Sequence, residues 1–198
     1  MPVTEKAIDR SNGYEAVAPQ LIRRRDRSAI GVATVRNWAT RLPAGASILD
    51  LGCGHGVPIA AALMKDGFRV DGIDASPSLI AEFSRRFPQA RVACEGAEES
   101  SFFQSTFDGI IAIGLMFLLA AEVQQRLIQR LAPALNPGAR LLFTATTQCA
   151  TWPDILTGRE SVSLGAEEYV RLLSQAGFTL EDEYVDEGKN HYYACFRP

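Results

Sequence analysis

Residues 48–58 constrain the fold of this chain more than any other segment. They read ILDLGCGHGVP, an apolar run that contains one carboxylate, Asp50, followed by three glycines at alternate positions. Such an apolar run is typical of a buried strand. Glycine is needed where the backbone has a positive φ or where a ligand approaches too closely for a Cβ atom. The segment therefore predicts a strand that turns sharply into a helix, with a ligand against the turn.

Asp50 indicates which ligand fits this turn. A glycine turn at a helix N-terminus suits a pyrophosphate, whereas a turn beside a carboxylate suits a ligand with a cationic group. The dinucleotide fingerprint needs glycine or alanine at its sixth position, where this chain has Val57, and Gly56 stands one residue early. The spacing argues against a nicotinamide dinucleotide. It still allows a nucleoside, because Asp74 ends the next predicted strand and suits a ribose contact.

The composition is that of one ordinary globular domain. The chain has 198 residues, of which 47% are hydrophobic and 22% are charged, and its net charge of −3 disfavours a nucleic-acid partner. No apolar run approaches the about 20 residues of a membrane-spanning helix, and residues 1–6 have no apolar signal region. Four scattered cysteines and two histidines favour no metal site. We expect a cytoplasmic protein with reduced thiols.

The alternation of apolar runs with helical patterns predicts an α/β fold. We expect a Rossmann-like, doubly wound sheet of seven strands, mostly parallel, with an antiparallel hairpin at its C-terminal end. The predicted strands are residues 47–51, 68–73, 90–94, 107–113, 140–145, 178–185 and 191–196. The predicted helices are residues 28–41, 57–65, 76–86, 121–132 and 166–175, and an earlier helix beginning within residues 13–18 is interrupted by Pro19. A turn is predicted at residues 136–138.

Two later segments are predicted to reach the ligand edge of the sheet. Residues 146–165 form a long connection that leaves the carboxyl end of the fifth strand, and long connections in compact domains tend to be functional. The last strand runs backwards, so Asn190 and His191 at its start also lie on that side.

In this order and spacing, the motifs resemble those of the class I S-adenosylmethionine-dependent methyltransferases. Residues 49–56 match the first motif of that family, and Asp74 within residues 70–77 matches the second. Residues 107–114, 135–141 and 176–178 are similar to the family's later motifs, and the resemblance runs from about Leu42 to the C-terminus. It implies S-adenosylmethionine as the cofactor and methyl transfer as the activity.

The resemblance also implies a set of cofactor-binding residues. The methionine part would contact Asp50, Gly52, Cys53 and Gly54, the ribose Asp74, the adenine Ala75 and Ser76, and the sulfonium side Ile113, Gly114 and Phe117.

The chain departs from the family after the third strand. Members often have an aspartate there that binds the adenine amino group, and this chain has Gly96 at that place. The N–H group of Ala97 could serve adenine N1. Glu98 is the first choice for the amino group, and Glu95 is the second.

The resemblance divides the chain into an N-terminal lid or substrate segment, residues 1–27, and a single methyltransferase domain, residues 28–198. Tyr14 is either an aromatic residue that closes over the cofactor or a surface tyrosine. The arginine-rich run at residues 23–27 is either a solvated helix face or a site for the cofactor carboxylate or an acidic substrate.

The expected mechanism is an in-line displacement on a small-molecule acceptor. No Asp-Pro-Pro-Tyr-like motif, which marks the amino-methylating nucleic-acid enzymes of the family, follows the fourth strand. His191, Tyr14 and Glu15 are the candidate general bases. The alternative function is a catalytically silent S-adenosylmethionine-binding subunit that regulates or assists a partner.

Overall fold

The computed structural model describes residues 9–198, so the expectation of no signal region and the first eight residues of the N-terminal segment lie outside it. Nine strands occur in this part of the chain. They are β1 Ser47–Leu51, β2 Arg69–Asp74, β3 Val92–Cys94, β4 Phe107–Ala112, β5 Leu135–Thr144, β6 Cys149–Pro153, β7 Glu160–Leu164, β8 Thr179–Val185 and β9 His191–Phe196. Seven of them form one sheet in the order β3-β2-β1-β4-β5-β9-β8.

The direction of the strands confirms the predicted fold class. Neighbouring strands from β1 to β5 are parallel, and β9 lies antiparallel between β5 and β8. This is a mostly parallel, Rossmann-like sheet that ends in an antiparallel hairpin.

Helices cover both faces of the sheet because the strand residues alternate between two apolar layers. The helices are α1 Tyr14–Arg25, α2 Val32–Ala39, α3 Ile59–Lys65, α4 Pro77–Arg86, α5 Ala121–Leu131 and α6 Ala166–Gln175. In β1, Ile48 packs with α2, α3 and α4, whereas Leu49 packs with α5 and α6. Both side chains are fully buried, and burial of each contributes about 1.5–3 kcal/mol to folding.

The start of α4 follows from its sequence. The Ser76 hydroxyl accepts a hydrogen bond from the N–H group of Leu79 at 3.3 Å, and Pro77 occupies the first helical position. Serine before proline is a strong helix start, because the hydroxyl satisfies a free N–H group and proline lacks one. This cap places the residues after β2 at the edge of the sheet.

Three local predictions were wrong. Helix α1 runs through Pro19 without interruption, at the cost of one backbone hydrogen bond. The connection at 146–165 contains the antiparallel hairpin of β6 and β7. The predicted turn at 136–138 is an irregularity within β5, where the Gly138 N–H group donates to the carbonyl oxygen of Arg197.

We expect Gly56→Ala to destabilise the fold more than Gly45→Ala. Both glycines have a positive φ, 84° and 71°, so both substitutions carry the cost of that conformation, about 1–2 kcal/mol. A Cβ at Gly56 would lie 2.8 Å from Phe87 and 2.9 Å from Phe83, whereas a Cβ at Gly45 meets nothing within 4 Å. Overpacking adds about 1–3 kcal/mol at Gly56. Urea unfolding measures the difference, and equal losses for the two variants would contradict this account.

Candidate functional site

The carboxyl ends of β1, β2, β4 and β5 open into one cavity of about 600 Å³. Open α/β sheets bind ligands at this edge. Every cofactor-binding residue proposed from the sequence lines the cavity, with the exception of Ser76. His191 does not line it, although the neighbouring Asn190 does.

The glycine turn after β1 has little N–H donor capacity left for a ligand. The N–H groups of Gly52 and Cys53 both donate to the carbonyl oxygen of Ile73, at 2.8 and 3.1 Å. The N–H group of Gly54 donates to Oδ2 of Asp74 at 2.8 Å. Anion-binding glycine loops work through free N–H groups, so this turn is unsuited to a pyrophosphate. Its carbonyl oxygens suit a cation.

Asp50 strengthens this preference for a cation. Its side chain is 4% exposed, and its carboxylate has no hydrogen-bond or salt-bridge partner among residues 9–198. Burial and the nearby charge of Asp74 raise the pKa of Asp50 to about 8, and Arg25 opposes the rise. A buried, unpartnered carboxylate is costly, and a cationic group in the cavity would offset that cost. The site therefore fits the ammonium group of a methionine moiety.

Asp74 keeps acceptor capacity towards the cavity. Its Oδ1 accepts a hydrogen bond from the Ser76 N–H group and its Oδ2 accepts the one from Gly54, both at 2.8 Å. Each carboxylate oxygen has a second lone pair, so two ribose hydroxyls can still be bound. Burial raises the pKa of Asp74, and the two hydrogen bonds oppose the rise. Ser76 is fully buried, so its placement supports a role in orienting Asp74 and capping α4 rather than in contact with adenine.

The loop after β3 shows how the chain manages without an aspartate at residue 96. A Cβ at Gly96 would lie 2.8 Å from the carboxylate of Glu98, so Glu98 occupies the space that a side chain at 96 would fill. Arg130 of α5 donates hydrogen bonds to the carbonyl oxygens of Ala97, Glu98 and Ser100. This guanidinium fixes the loop that carries Ala97 and Glu98, two of the predicted adenine contacts.

Helix α1 is fastened to α4 at both ends. At its N-terminal end, Glu15 accepts hydrogen bonds from the N–H group and the hydroxyl of Ser78, at 3.0 and 2.6 Å. At its C-terminal end, Asp26 accepts two hydrogen bonds from Arg86, at 2.6 and 3.0 Å, and lies 3.0 Å from Nε2 of His55. The helix thereby forms one wall of the cavity, to which it contributes Tyr14 and several later side chains.

Tyr14 connects this wall to the β6–β7 hairpin. Its hydroxyl donates to Oδ2 of Asp154 at 3.1 Å, and Oδ1 of Asp154 accepts the N–H groups of Leu156 and Thr157. Burial and the charge of Asp154 raise the pKa of Tyr14 well above its ordinary value. Asp154 was not among the predicted site residues, although an aspartate that follows proline and precedes Gly158 is a recognisable turn signal.

The candidate bases are all engaged elsewhere. His191 places Nε2 2.8 Å from Oε1 of Glu183, on the neighbouring strand, and contacts Tyr193 edge-on. The Tyr14 hydroxyl donates a hydrogen bond to Asp154, and the Glu15 carboxylate accepts hydrogen bonds at the start of α4. The structure therefore does not bring His191 to the cavity, and it disfavours Tyr14 as a base because a raised pKa opposes deprotonation.

Residues 9–198 contain neither a candidate metal cluster nor a candidate membrane-spanning helix. They contain no cluster of three or more histidine, cysteine, aspartate or glutamate side chains that could hold a metal ion. Within the same residues, no helix has both the length and the apolar character needed to cross a membrane.

The family model that matches the chain covers residues 48–138 and is described as a methyltransferase domain. The matched segment contains the glycine turn, Asp50, Asp74 and the loop of Glu98. The match and the fold agree with the resemblance to the S-adenosylmethionine-dependent methyltransferases seen in the sequence.

Solved structures with a similar fold align with almost the whole chain. A TehB-like SAM-dependent methyltransferase from Corynebacterium glutamicum is 23% identical, with a TM-score of 0.71 over 92% of this chain and 98% of that one. A 1,6-didemethyltoxoflavin-N1-methyltransferase from Burkholderia thailandensis, with S-adenosylhomocysteine bound, is 17% identical, with a TM-score of 0.73 over 100% and 93%. The [4+2]-cyclase SpnF is 17% identical, with a TM-score of 0.76 over 95% of each chain.

At these identities the similarity shows the fold alone, and one of the three proteins is a cyclase rather than a methyltransferase by name. No curated protein matches the chain in sequence. The chemistry of this methyltransferase domain must therefore be argued from its own residues.

We expect Asp50 to make the ligand-free protein less stable as the pH rises. From about pH 5 to about pH 8 the folded protein holds a proton on Asp50 that the unfolded chain has released, since its ordinary pKa is 3.8. This contribution to stability is complete below pH 3.8 and is lost as the pH rises through the folded pKa of about 8.

Between about pH 5 and about pH 8, the free energy of unfolding should therefore fall more in the wild type than in Asp50→Asn. Urea unfolding at these two pH values measures the difference. Asp66→Asn, at an exposed ion pair with Arg36, serves as the surface control. Parallel pH dependence in the wild type and Asp50→Asn would refute the assignment.

Proposed function

We propose that the protein binds S-adenosylmethionine and transfers its methyl group to a small-molecule acceptor. The observation that carries the proposal is the unpartnered, buried carboxylate of Asp50 beside a turn whose N–H groups are already used. That arrangement fits the ammonium group of an amino acid and not a phosphate. The methyltransferase domain and the free acceptor positions of Asp74 support the same cofactor.

The proposed binding mode follows the strand ends. Asp50 would take the ammonium, Asp74 the ribose hydroxyls, and the loop of Ala97 and Glu98 the adenine. Arg25 is half-buried on the same cavity, and its pKa is lowered by burial, which the nearby carboxylates of Asp50 and Asp186 oppose. We assign it to the cofactor carboxylate, next to the ammonium that Asp50 receives.

The mechanism requires alignment more than proton transfer. When bound, S-adenosylmethionine supplies a methyl carbon that its sulfonium has already activated for displacement. Ile113, Gly114 and Phe117 would shape the sulfonium side of the cavity and keep water out of it. Because Tyr14, Glu15 and His191 are engaged elsewhere, we propose an acceptor whose lone pair is available without a protein base, with its proton leaving to solvent.

The division of the chain into a lid and a core domain also belongs to this proposal. Residues 9–27 contact the domain through side chains, among them Arg159 with Asp9 at 2.7 Å and Tyr14 with Asp154. Breaking a few such contacts would open the cavity, which favours a lid over a permanent wall. The cytoplasmic location stays a prediction.

The alternative is a domain that binds the cofactor and transfers nothing. The engagement of the candidate bases favours it, and so does the existence of a cyclase on this fold. Calorimetry with S-adenosylhomocysteine tests binding, and incubation with methyl-labelled cofactor and metabolite pools tests transfer. Tight binding without transfer to any pool would favour the alternative.

We expect Asp74→Asn to weaken S-adenosylhomocysteine binding by about tenfold or more. An amide would present N–H groups to the ribose and to the backbone donors that the carboxylate now accepts, and hydrogen bonds to a charged group contribute about 1.5–3 kcal/mol. Asp71→Asn is the matched control, because Asp71 lies on the same strand, binds Arg91 and does not line the cavity. Calorimetry should show near-wild-type affinity for the control. If both variants bind equally well, Asp74 is not the ribose acceptor.

We expect Tyr14→Phe to release S-adenosylhomocysteine faster than the wild type does. The substitution removes only the hydrogen bond to Asp154, and a loss of about 0.5–1.5 kcal/mol corresponds to an about two- to tenfold higher dissociation rate. Tyr184→Phe is the control, since Tyr184 does not line the cavity. Stopped-flow displacement measures both rates, and unchanged release from Tyr14→Phe would show that the hydrogen bond to Asp154 does not retain the ligand.

A further inference from the structure

We propose that the methyl acceptor is an organic acid, a flat and largely apolar molecule whose carboxylate binds Arg24. The inference rests on the proposed function and names its substrate class. It follows from how apolar and charged side chains are distributed around the part of the cavity that the cofactor would leave open.

The cavity has an inner and an outer half. The inner half consists of the strand ends and the loops directly after β1, β2 and β3, which the cofactor would occupy. The outer half is built from residues 10–30, the turn after β4, the β6–β7 hairpin and the loop before β9. An acceptor must lie in the outer half, because the inner half ends at the sulfonium side.

The outer half is mainly apolar and partly aromatic. Phe117 and Trp152 face each other with ring centroids 5.8 Å apart and planes inclined by 45°. Ile30 and Ile155 lie at the rim, 38% and 84% exposed, and rank among the few large apolar side chains that the described surface exposes. Large apolar side chains that border a cavity and remain in water indicate a site for an apolar ligand. Aromatic rings favour a flat one.

The charges of the outer half are unbalanced. Arg24 and Arg25 line it, and among residues 9–198 neither side chain has a salt-bridge or hydrogen-bond partner. Arg10, the third lining arginine, is paired with Glu99. The carboxylate of Asp154 is already satisfied by Tyr14 and by two N–H groups of its own turn. Arg24 thus lacks a counter-ion among the described residues, whereas Arg25 has the carboxylates of Asp50 and Asp186 nearby but forms a salt bridge with neither.

The two arginines differ in what they face. Arg25 is the more deeply buried and lies near Asp50, where the cofactor carboxylate would neutralise it. Arg24 is exposed at the rim and acts electrostatically on Tyr14, on the acceptor side. One carboxylate from each ligand would balance the pair. A single guanidinium binds a carboxylate through two parallel hydrogen bonds, which would also orient a flat molecule against the aromatic side chains.

The test uses three probes of one shape and different charge on protein saturated with S-adenosylhomocysteine. They are indole-3-acetate, indole-3-acetamide and tryptamine, which are anionic, neutral and cationic. We expect calorimetry to show the acid binding about tenfold or more tightly than the other two, and Arg24→Gln to abolish that preference. Arg23→Gln is the matched control, because Arg23 is the exposed neighbour on α1 that does not line the cavity.

The outcomes separate this inference from the proposed function. Both variants should bind S-adenosylhomocysteine within about twofold of the wild type, since Arg24 faces the acceptor side. Wild-type protein that fails to bind S-adenosylhomocysteine would contradict the proposed function itself. If S-adenosylhomocysteine binds normally, any of three results would contradict the acid acceptor and leave the proposed function intact. They are tightest binding of tryptamine, no binding of any probe at millimolar concentration, and an unchanged preference for the acid in Arg24→Gln.

Discussion

The carboxylate of Asp50 lies at the end of the central strand, is almost completely buried, and lacks a partner among the described residues. Such a group raises the free energy of the ligand-free protein, and its raised pKa expresses that cost. The surrounding backbone does not relieve it, because the N–H groups of the adjacent turn are bound to Ile73 and Asp74. A cation that enters the cavity therefore binds favourably, because it neutralises the Asp50 carboxylate, which no described residue does through a salt bridge.

The outer half of the cavity depends on how α1 is held. Glu15 binds the start of α4, Asp26 binds its end through Arg86, and Tyr14 reaches the β6–β7 hairpin. These contacts are polar and partly exposed, so each stabilises the closed arrangement by a modest amount. In the proposed lid function, such a wall would open without unfolding the sheet. The same helix supplies Arg24 and Arg25, so the charge of the cavity wall depends on its position.

The strands were predictable from the sequence because their signal is physical and local. Apolar runs such as 47–51 and 107–113 are buried on both faces of a parallel sheet, and the topology then places Asp50 and Asp74 at one edge. The β6–β7 hairpin was missed because the buried positions of β7 are Ser161 and Ser163, which do not look apolar. Small side chains suffice there because the hairpin packs closely.

The role of His191 shows a different limit of sequence reasoning. Topology correctly placed the start of β9 at the ligand edge, where Asn190 does line the cavity. An edge position leaves open which neighbour a side chain meets, and the ring of His191 binds Glu183 on β8 instead. Glu98 is the converse case. Its prediction from a missing aspartate at 96 gains support from the space that Gly96 leaves, which only the folded loop reveals.

The identity of the acceptor depends on residues that the family assignment does not include. The methyltransferase domain at 48–138 contains the glycine turn and the residues assigned to ribose and adenine. Arg24, Trp152, Asp154 and Asn190 all line the cavity from outside that segment. The strand ends, which would hold the cofactor, and the outer wall, which would meet the acceptor, are therefore separate pieces of sequence. Any account of specificity must therefore start from the N-terminal helix and the β6–β7 hairpin.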